Sequence, residues 1–318
     1  MVRMILDCDP GHDDAVALLM AAKHPDLELL GVTVVAGNQT LEKTVNNACK
    51  VLQHLGLSHV PVYRGMGLPM VRTSLICPEI HGATGLDGPV FAPQTKFPEP
   101  MHAVEYLVRT LRAATEPITL VTTGPMTNVG MALRLAPDII DKVERFVCMG
   151  GSMGLGNISP AAEFNILADA EAAHLVFTAG KPVVMLGLDV TRKVAVDVAR
   201  IDRYEKKYPD NVAAKLFCDM MRFFCSTQKA FFGLDAGPLH DPCTVAYLID
   251  PSLYRVEAMH VDVELRSDAS YGRTNCDFFQ KSGLEKNVLV GTDVDTEGFF
   301  RLVEKCMELY GADSEKTA

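Results

Sequence analysis

The chain places the stretch Asp7-Cys8-Asp9-Pro10-Gly11-His12-Asp13-Asp14 between two apolar runs, residues 2–6 and 15–20. The first run is short and continuous, which is typical of a buried β-strand, and the second predicts a helix. Pro10 fixes its own φ angle and biases Asp9 towards extended backbone, while Gly11 permits a sharp turn. The stretch therefore predicts a strand-to-helix turn that carries four carboxylates.

Four carboxylates this close repel one another unless a cation or water separates them. At about 4 Å and an effective dielectric constant of about 20, each like-charged pair costs about 4 kcal/mol. Asp13 and Asp14 fall in the first helical turn, about 100° apart, so one could face a metal ion and the other a substrate. Oxygen-only ligands suit a hard ion such as Ca²⁺ or Mg²⁺. The alternative is that Asp13 is a helix N-cap and Asp14 a partner of the helix dipole, which the nearby Asp7 and Asp9 make less favourable.

The bulk composition restricts the kind of partner. The 318 residues are 48% hydrophobic, enough to bury a large core, and the net charge is −10. A nucleic-acid-binding surface normally carries a basic patch, so a small-molecule partner is favoured. No apolar run approaches the ~18–20 residues that span a membrane. The chain enters a strand at once, so no signal peptide is expected. Nine cysteines without a C-x-x-C pair are expected to be buried reduced thiols, which fits a cytoplasmic location.

Strand-like and helical runs alternate along the chain. This pattern predicts a single α/β domain over residues 1–312, with a mostly parallel, Rossmann-like central sheet covered by helices, and a frayed tail at 313–318. A helix after residue 125 is expected to be capped by Thr127 or Asn128. Residues 64–100, rich in Gly and Pro, predict a long irregular segment, which is usually functional. Further strands are expected at 27–35, 60–63, 118–122, 143–149, 183–188, 254–265 and 287–292, and helices at 40–55, 103–114, 169–179, 295–310 and over most of 201–250.

Polar clusters follow the predicted strands, at residues 9–14, Asn38, Thr123, 157–165 and Asp189. In folds of this class, ligands bind beyond the carboxyl ends of the strands. The glycine-rich stretch 149–157 matches neither G-x-G-x-x-G nor a P-loop, so a nucleotide phosphate cradle is weakly supported. Close backbone approach to a ligand and a mobile loop both remain open for this stretch.

Two further polar pairs have alternative interpretations. Glu163 and Asn165, two apart on an extended segment, would face the same way and suit hydroxyl groups. The alternative is local hydrogen bonding within a loop. His240 and Asp241 precede a helix, where they could supply an acid and a metal ligand or only a cap.

Taken together, these segments resemble the inosine-uridine-preferring nucleoside hydrolase family over residues 3–310. The hallmark is the Asp-x-Asp-Pro-Gly-x-Asp-Asp-Ala segment, matched at residues 7–15. Supporting matches occur in order at 36–38, 81–82, 123–125, 149–151, 157, 163–165 and 240–241. The stretches 36–40 and 81–89 look most like the pyrimidine-preferring members.

The resemblance implies Ca²⁺-dependent hydrolysis of the N-glycosidic bond of ribonucleosides to ribose and free base. Uridine and cytidine would be favoured and inosine possible, in pyrimidine salvage by a cytoplasmic homotetramer. One Ca²⁺ per subunit would be held by Asp9, Asp14, Asp241 and the main-chain carbonyl of Thr123, with the ribose 2′ and 3′ hydroxyls completing its shell. The implied substrate contacts are Asp13 to a ribose hydroxyl, Asn157 and Glu163 to the 5′ hydroxyl, and Asn38, His81, Met149, Asn165, Gln228 and Phe232 lining the same pocket.

The chemistry of the bond is consistent with this residue set. Breaking a ribosyl–base bond builds positive charge on the sugar, in an oxocarbenium-like transition state that carboxylates stabilise. Asp9 is the predicted general base for a metal-activated water that attacks the anomeric carbon, and His240 the predicted acid for the leaving base. Pyrimidine-preferring relatives often place a Gln and a Tyr on the preceding helix. Here Gln228 is present but the aromatic residue is Phe232, so the sequence does not support a proton relay through that tyrosine.

Two alternatives remain open at this stage. A non-catalytic nucleoside- or Ca²⁺-binding protein on the same fold is disfavoured only because every expected acidic position is filled. An aspartyl-phosphate-type phosphatase would use Asp7 as nucleophile with Mg²⁺. Against it, Pro10 and Gly11 replace the expected hydroxyl-bearing continuation, and the second pair of aspartates has no role.

Overall fold

A computed structural model describes residues 1–311, in which strands and helices alternate as the sequence predicts. The predicted tail at 313–318 lies outside the described residues. The strands are β1 (Val2–Cys8), β2 (Leu27–Val34), β3 (Val62–Arg64), β4 (Ile118–Thr122), β5 (Val143–Met149), β6 (Val183–Leu186), β7 (Ala195–Asp197), β8 (Ala236–Pro238), β9 (Tyr254–Met259), β10 (Val261–Val263), β11 (Thr274–Cys276) and β12 (Val288–Val294).

The helices cover both faces of the central sheet. Segment 64–100 is irregular as predicted, apart from one short helix, α3. The helices are α1 (His12–Lys23), α2 (Leu41–His54), α3 (Pro78–His81), α4 (Ala103–Ala113), α5 (Thr127–Leu135), α6 (Phe164–Ala168), α7 (Ala170–Phe177), α8 (Leu188–Thr191), α9 (Val198–Lys207), α10 (Val212–Phe232), α11 (Pro242–Ile249) and α12 (Thr296–Glu308).

The central sheet has eight strands in the order β3-β2-β1-β4-β5-β6-β12-β9. All neighbours pair in parallel except β9, which runs antiparallel to β12 at the edge. The predicted α/β architecture with a mostly parallel sheet is therefore confirmed. The strand order reverses at β1, which lies between β2 and β4, and such a switch point opens a crevice at the carboxyl ends of the strands.

The core lies in two layers, one on each face of the sheet. Successive residues of β1 point to opposite faces, so Leu6 packs into one layer and Ile5 into the other. Both side chains are buried. Burial on both faces explains why the strands are continuous apolar runs rather than alternating ones.

Two predictions about secondary-structure elements away from the cleft are wrong. The strand expected over 254–265 is split, because β10 leaves the central sheet after His260 and pairs with β11. Neither Thr127 nor Asn128 caps α5, whose N-cap is Met126 with no side-chain cap. Both polar side chains are used in tertiary contacts instead: the Thr127 hydroxyl donates to Asp169 at 2.6 Å, and the Asn128 amide donates to Asp7 at 2.7 Å.

The predicted burial of the cysteines is confirmed for eight of the nine. All nine thiols are free, and all except the half-buried Cys276 are buried. Within residues 1–311, no helix is both long enough and apolar enough to cross a membrane.

Asp7, the first carboxylate of the motif, is bound inside the fold. Its Oδ1 accepts hydrogen bonds from the Thr33 hydroxyl at 2.5 Å and from the Asn128 amide at 2.7 Å. Burial raises the pKa of Asp7 to about 7, the two hydrogen bonds opposing that shift. Asp7 therefore supports the strand end from within.

We expect Asn128→Ala to destabilise the protein. The Asn128 side chain donates to Asp7 and also accepts from the backbone N–H of Met66 at 2.7 Å. Each buried polar group left unpaired costs about 1–3 kcal/mol, so the free energy of unfolding should fall by at least about 2 kcal/mol. Urea unfolding measures this, with the exposed Asn275→Ala as control, expected within about 0.5 kcal/mol of the parent. Equal stability of the two variants would contradict the expectation.

Candidate active site

Asp9 lies directly beyond the end of β1 and is completely buried. Its Oδ2 accepts from the backbone N–H of Asn38 at 2.6 Å, and the Asn38 amide donates to the Asp9 carbonyl at 3.1 Å. Oδ1 has no hydrogen-bond partner within residues 1–311. Burial, and then the charge of Asp14, raise the pKa of Asp9. The Asp9 side chain is thus held by one oxygen, while the other is free to take a proton or a cation.

The start of α1 fixes Asp14 rather than Asp13. The N-cap residue is Gly11, and Asp14 Oδ2 accepts from its backbone N–H at 2.9 Å. Asp14 Oδ1 accepts from the Thr123 hydroxyl at 2.8 Å, which ties α1 to the end of β4. Asp13 is therefore no N-cap, and the alternative interpretation of this side chain is wrong.

Asp13 and Asp14 meet Asp241, from the start of α11, in a compact group. One carboxylate oxygen of each lies within 4.8 Å of the others. Asp241 occupies the N-cap position of α11 but makes no cap hydrogen bond, so its side chain is not a simple cap. Burial raises the pKa of Asp13 to about 7, and burial with the charges of Asp13 and Asp14 raises that of Asp241. Burial is the larger cause of both shifts, and the repulsion between the carboxylates, which a cation would relieve, adds to it.

The donor set fits a hard divalent cation. It consists of buried carboxylate oxygens, together with the Thr123 carbonyl, which accepts one hydrogen bond from the Asn165 amide at 2.8 Å and keeps a second lone pair. The sequence assigned Asp9 to the metal and Asp13 to the ribose. Among the described residues, Asp13 belongs to the compact carboxylate group and Asp9 does not. Asp9, four residues before Asp13 in the sequence, contributes an Oδ1 that has no hydrogen-bond partner in the part of the chain that the structure describes.

A cleft opens at this edge of the sheet. Asp9 and Asp14 are fully buried and do not line it. The other twelve of the fourteen predicted site residues do line it: Asp13, Asn38, His81, Thr123, Met149, Asn157, Glu163, Asn165, Gln228, Phe232, His240 and Asp241.

The predicted extended segment at Glu163 and Asn165 is wrong in its local structure. Glu163 is the N-cap of α6, and its carboxylate accepts from the backbone N–H groups of Asn165 and Ile166 at 2.9 and 3.2 Å. It also accepts from Gly151 N–H at 2.9 Å, while burial raises its pKa to about 7. Local hydrogen bonding is thus present, yet Glu163 and Asn165 still face the same cleft.

The glycine-rich stretch 149–157 is fastened by the turn that follows β6. Leu188 N–H donates to the Gly151 carbonyl at 2.9 Å, and Met153 N–H donates to Asp189 at 2.7 Å. The Arg192 guanidinium donates to the Gly156 carbonyl at 2.7 Å. These three contacts argue against a bare mobile loop.

Gly151 itself must be glycine. Its φ is +76°, and a Cβ there would lie 2.8 Å from the methyl group of Thr274.

Two histidines, His81 and His240, also line the cleft. His240 Nδ1 is 2.7 Å from the Thr191 hydroxyl, and His81 Nδ1 is 3.1 Å from His12 Nδ1. Burial lowers the pKa of His81, and burial with the charge of Arg192 lowers that of His240 to about 3. Both imidazoles are therefore neutral near pH 7. Near pH 7 the neutral His240 ring can donate or accept a hydrogen bond, but it does not carry a positive charge.

Sequence reasoning missed much of the apolar wall of the cleft. Arg192 follows β6 in the way that the other polar residues follow their strands, so the same rule would have found it. Phe231 lies in the last turn of α10 and Leu234 just beyond that helix, and both are about half exposed. The missed lining residues are Cys77, Glu79, Ile80, Ile158, Phe164, Arg192, Phe224, Phe231, Leu234 and Pro238.

Comparison with known proteins gives concordant matches over nearly the whole chain. The family model described as inosine-uridine preferring nucleoside hydrolase matches residues 4–301. The pyrimidine-specific ribonucleoside hydrolase RihB of Escherichia coli (strain K12 / DH10B) is 48% identical over 308 residues, 97% of each chain.

Two solved structures have the same fold. A purine-preferring ribonucleoside hydrolase from Gardnerella vaginalis superposes with a TM-score of 0.89 at 30% identity, covering 97% of this chain and 99% of that one. An inosine-uridine preferring nucleoside hydrolase from Bacillus anthracis, at 22% identity, gives a TM-score of 0.79 over 97% of this chain and all of that one. The second likeness, at that identity, concerns the fold alone.

Proposed function

The chain belongs to the inosine-uridine preferring nucleoside hydrolase family and is an N-glycosyl hydrolase of ribonucleosides, and from this premise we propose that it is a Ca²⁺-dependent enzyme that favours pyrimidine nucleosides. The observation that carries the proposal is the buried acidic group of Asp13, Asp14 and Asp241 beside the unpartnered oxygen of Asp9. Negative charge at the floor of a cleft suits a sugar that becomes positive as its bond to the base breaks.

In the proposed reaction, water adds to the anomeric carbon, the bond to the base nitrogen breaks, and the base leaves with a proton. Asp9 Oδ1 takes the proton of the attacking water. This oxygen and Asp7 Oδ2 are the buried carboxylate oxygens without a partner among residues 1–311, and of the two residues it is Asp9 that lies beyond the end of β1, next to Asp13 and Asp14. The Asn38 backbone N–H holds the other oxygen at 2.6 Å and so fixes the direction of the free one. A general base aligned in this way contributes about 10²- to 10⁴-fold to the rate.

Asp9, Asp14, Asp241 and the Thr123 carbonyl are the proposed Ca²⁺ ligands, one ion per subunit. A bound Ca²⁺ would orient the ribose diol and make a nearby water more acidic. The chain's own part is to hold the carboxylate oxygens in position. The hydrogen bonds to Asp14 from Gly11 N–H and the Thr123 hydroxyl favour its ionised form and so oppose the effect of burial on its pKa.

The remaining polar residues are proposed to hold the ribose. Asp13 lines the cleft within the acidic group and would accept from a ribose hydroxyl. Asn157 and Glu163 would hold the 5′ hydroxyl, with Asn38, Met149 and Asn165 around the sugar. Asn157 is fixed for this role, because its Oδ1 accepts from Phe164 N–H at 2.9 Å.

His240 is the proposed proton donor to the leaving base, and His81, Gln228 and Phe232 its other neighbours. All four line the cleft. Because the pKa of His240 is lowered to about 3, it would act through a neutral ring N–H. Phe232 has no hydroxyl to take part in a relay.

We expect uridine and cytidine to be hydrolysed at least about tenfold faster than inosine, a difference in transition-state free energy of about 1.4 kcal/mol. The support is the 48% identity to a relative named pyrimidine-specific, against 30% to one named purine-preferring. Ribose release from uridine, cytidine, inosine and adenosine at saturating Ca²⁺ measures the ranking. A faster purine would overturn the preference and leave the reaction class intact.

The same assay tests the two alternatives. Binding of uridine without ribose release, in folded and Ca²⁺-loaded protein, would favour a non-catalytic nucleoside-binding protein. The phosphatase alternative has an observation against it: its nucleophile Asp7 lies within β1, where its Oδ1 accepts from the Thr33 hydroxyl and the Asn128 amide, whereas Asp9 lies beyond the strand end. Hydrolysis of a generic phosphate ester would restore it.

We further propose that the enzyme is a cytoplasmic homotetramer that serves pyrimidine salvage, as the family resemblance implies. Light scattering after size exclusion measures the assembly. A mass near the 34.6 kDa of one chain would overturn the tetramer.

A further inference from the structure

The turn after β6 places a buried hydroxyl against His240. Thr191, the last residue of α8, is fully buried, and its Oγ1 lies 2.7 Å from His240 Nδ1. The backbone on either side is fixed, since Thr191 N–H donates to the Gly187 carbonyl at 3.0 Å. The hydroxyl therefore has a defined position, with His240 as its hydrogen-bond partner in the described part of the chain.

This contact determines which ring nitrogen of His240 carries the proton. A neutral imidazole has one N–H and one bare nitrogen, and the partner of one nitrogen decides which of the two carries the proton. The Thr191 hydroxyl has one proton to donate, and His240 Nδ1 is the acceptor within reach. If the hydroxyl donates to Nδ1, the ring proton must be on Nε2.

We propose that Thr191 is a positioning residue for the reaction: its hydroxyl donates to His240 Nδ1, fixes the Nε2–H tautomer and orients the ring. His240 then presents a ring N–H for the leaving base. This inference rests on the proposed function, in which His240 is the proton donor.

The same turn couples the two sides of the cleft. Leu188 N–H and the Arg192 guanidinium hold the carbonyls of Gly151 and Gly156, at 2.9 and 2.7 Å. Thr191 lies between these two contacts in sequence. The placement of His240 and that of the loop before Asn157 therefore depend on one short, rigid element.

The test compares Thr191→Val, which keeps the shape and removes the hydroxyl, with Thr191→Ser, which keeps the hydroxyl. We expect kcat on uridine to fall about 10²-fold in Thr191→Val and to return to within about threefold of the parent in Thr191→Ser. The second substrate is 4-nitrophenyl β-D-ribofuranoside, whose leaving group departs as a stable anion and needs little protonation. Its kcat should fall at least about tenfold less than that of uridine in Thr191→Val.

Thr296→Val serves as control for the loss of a hydroxyl, since Thr296 lies at the start of α12 and its hydroxyl makes only a 3.4 Å contact with the Lys193 carbonyl. It should match the parent on both substrates. Equal losses on the two substrates in Thr191→Val, or no rescue by serine, would show a merely structural role and overturn the inference.

A second readout does not depend on turnover. In ¹⁵N-histidine-labelled protein, with His240 identified by the signal lost in His240→Ala, we expect protonated Nε2 and bare Nδ1. Thr191→Val should move both nitrogen shifts, because the tautomer is no longer fixed. Protonated Nδ1 in the parent would overturn the inference even if uridine is hydrolysed. If uridine is not hydrolysed, the proposed function fails, and the nitrogen shifts still decide the tautomer.

Discussion

Asp9→Asn is expected to lower kcat for uridine by about 10²- to 10⁴-fold while uridine still binds. An asparagine keeps the shape of the side chain and one oxygen that can accept from Asn38 N–H, the contact that is 2.6 Å in the structure. It removes the basic oxygen that has no partner among the described residues. The proton of the attacking water then has no acceptor in the right place. Ribose release at saturating Ca²⁺ gives kcat, and calorimetric titration gives the affinity for uridine.

Two matched variants make the Asp9→Asn result specific. Asp141→Asn removes a carboxylate from an exposed site just before β5, at the opposite edge of the sheet from the cleft, and should behave as the parent. Asp7→Asn changes the other carboxylate of β1, which does not line the cleft, and should affect stability more than kcat. Near-normal turnover by Asp9→Asn would show that Asp9 is not the base, and loss of turnover in Asp7→Asn alone would point to Asp7 as the reacting group.

The location of the site could be predicted because it depends on chain order alone. Asp9, Asn38 and Thr123 each follow a strand, and in a parallel sheet the carboxyl ends of neighbouring strands share one edge. The order β2-β1-β4 then brings the three residues together without any knowledge of side-chain packing. Twelve of the fourteen residues that the family resemblance implied as site residues also line one cleft.

What the sequence could not supply are contacts between residues far apart in the chain. Asn128 carries a good cap side chain for α5, but a buried carboxylate, Asp7, offers it a stronger charge-assisted hydrogen bond, so the tertiary contact prevails. The Thr191–His240 contact joins positions 49 residues apart, and no local spacing encodes it. Glu163 lines the cleft as predicted, but the predicted extended segment is wrong, because Glu163 is the N-cap of α6.

Removal of Ca²⁺ is the second large effect that we expect, and it should change stability as well as turnover. Chelation with EGTA should lower ribose release from uridine at least about 10³-fold, and added Ca²⁺ should restore it. The same addition should raise Tm, since a ligand of the native state at 100 times its Kd stabilises it by about 2.7 kcal/mol. For a chain of this size that corresponds to a shift of several degrees.

The stabilisation by Ca²⁺ should grow with pH. In the metal-free protein, burial raises the pKa of Asp13 to about 7 from an ordinary value of 3.8, so folding favours its protonated form. That contribution is present at low pH and is lost as pH rises from about 4 through 7, while ionised carboxylates bind the cation more tightly. We therefore expect a larger Ca²⁺-induced rise in Tm at pH 8 than at pH 5.

Asp241→Asn separates this Ca²⁺ effect from nonspecific ion binding. It removes one charge from the compact group and should abolish most of the Ca²⁺-induced shift in Tm together with turnover, whereas Asp141→Asn should keep both. Because the buried repulsion is also reduced, the metal-free Asp241→Asn protein should be at least as stable as the metal-free parent at pH 8. A carboxylate whose role is to bind a cation should give both results when it is replaced: the metal-free variant is at least as stable as the metal-free parent, and Ca²⁺ raises its Tm less. If Ca²⁺ did not change the Tm of the parent and EGTA did not lower its ribose release, the proposed calcium site would be wrong. The assignment to the hydrolase family would not be affected.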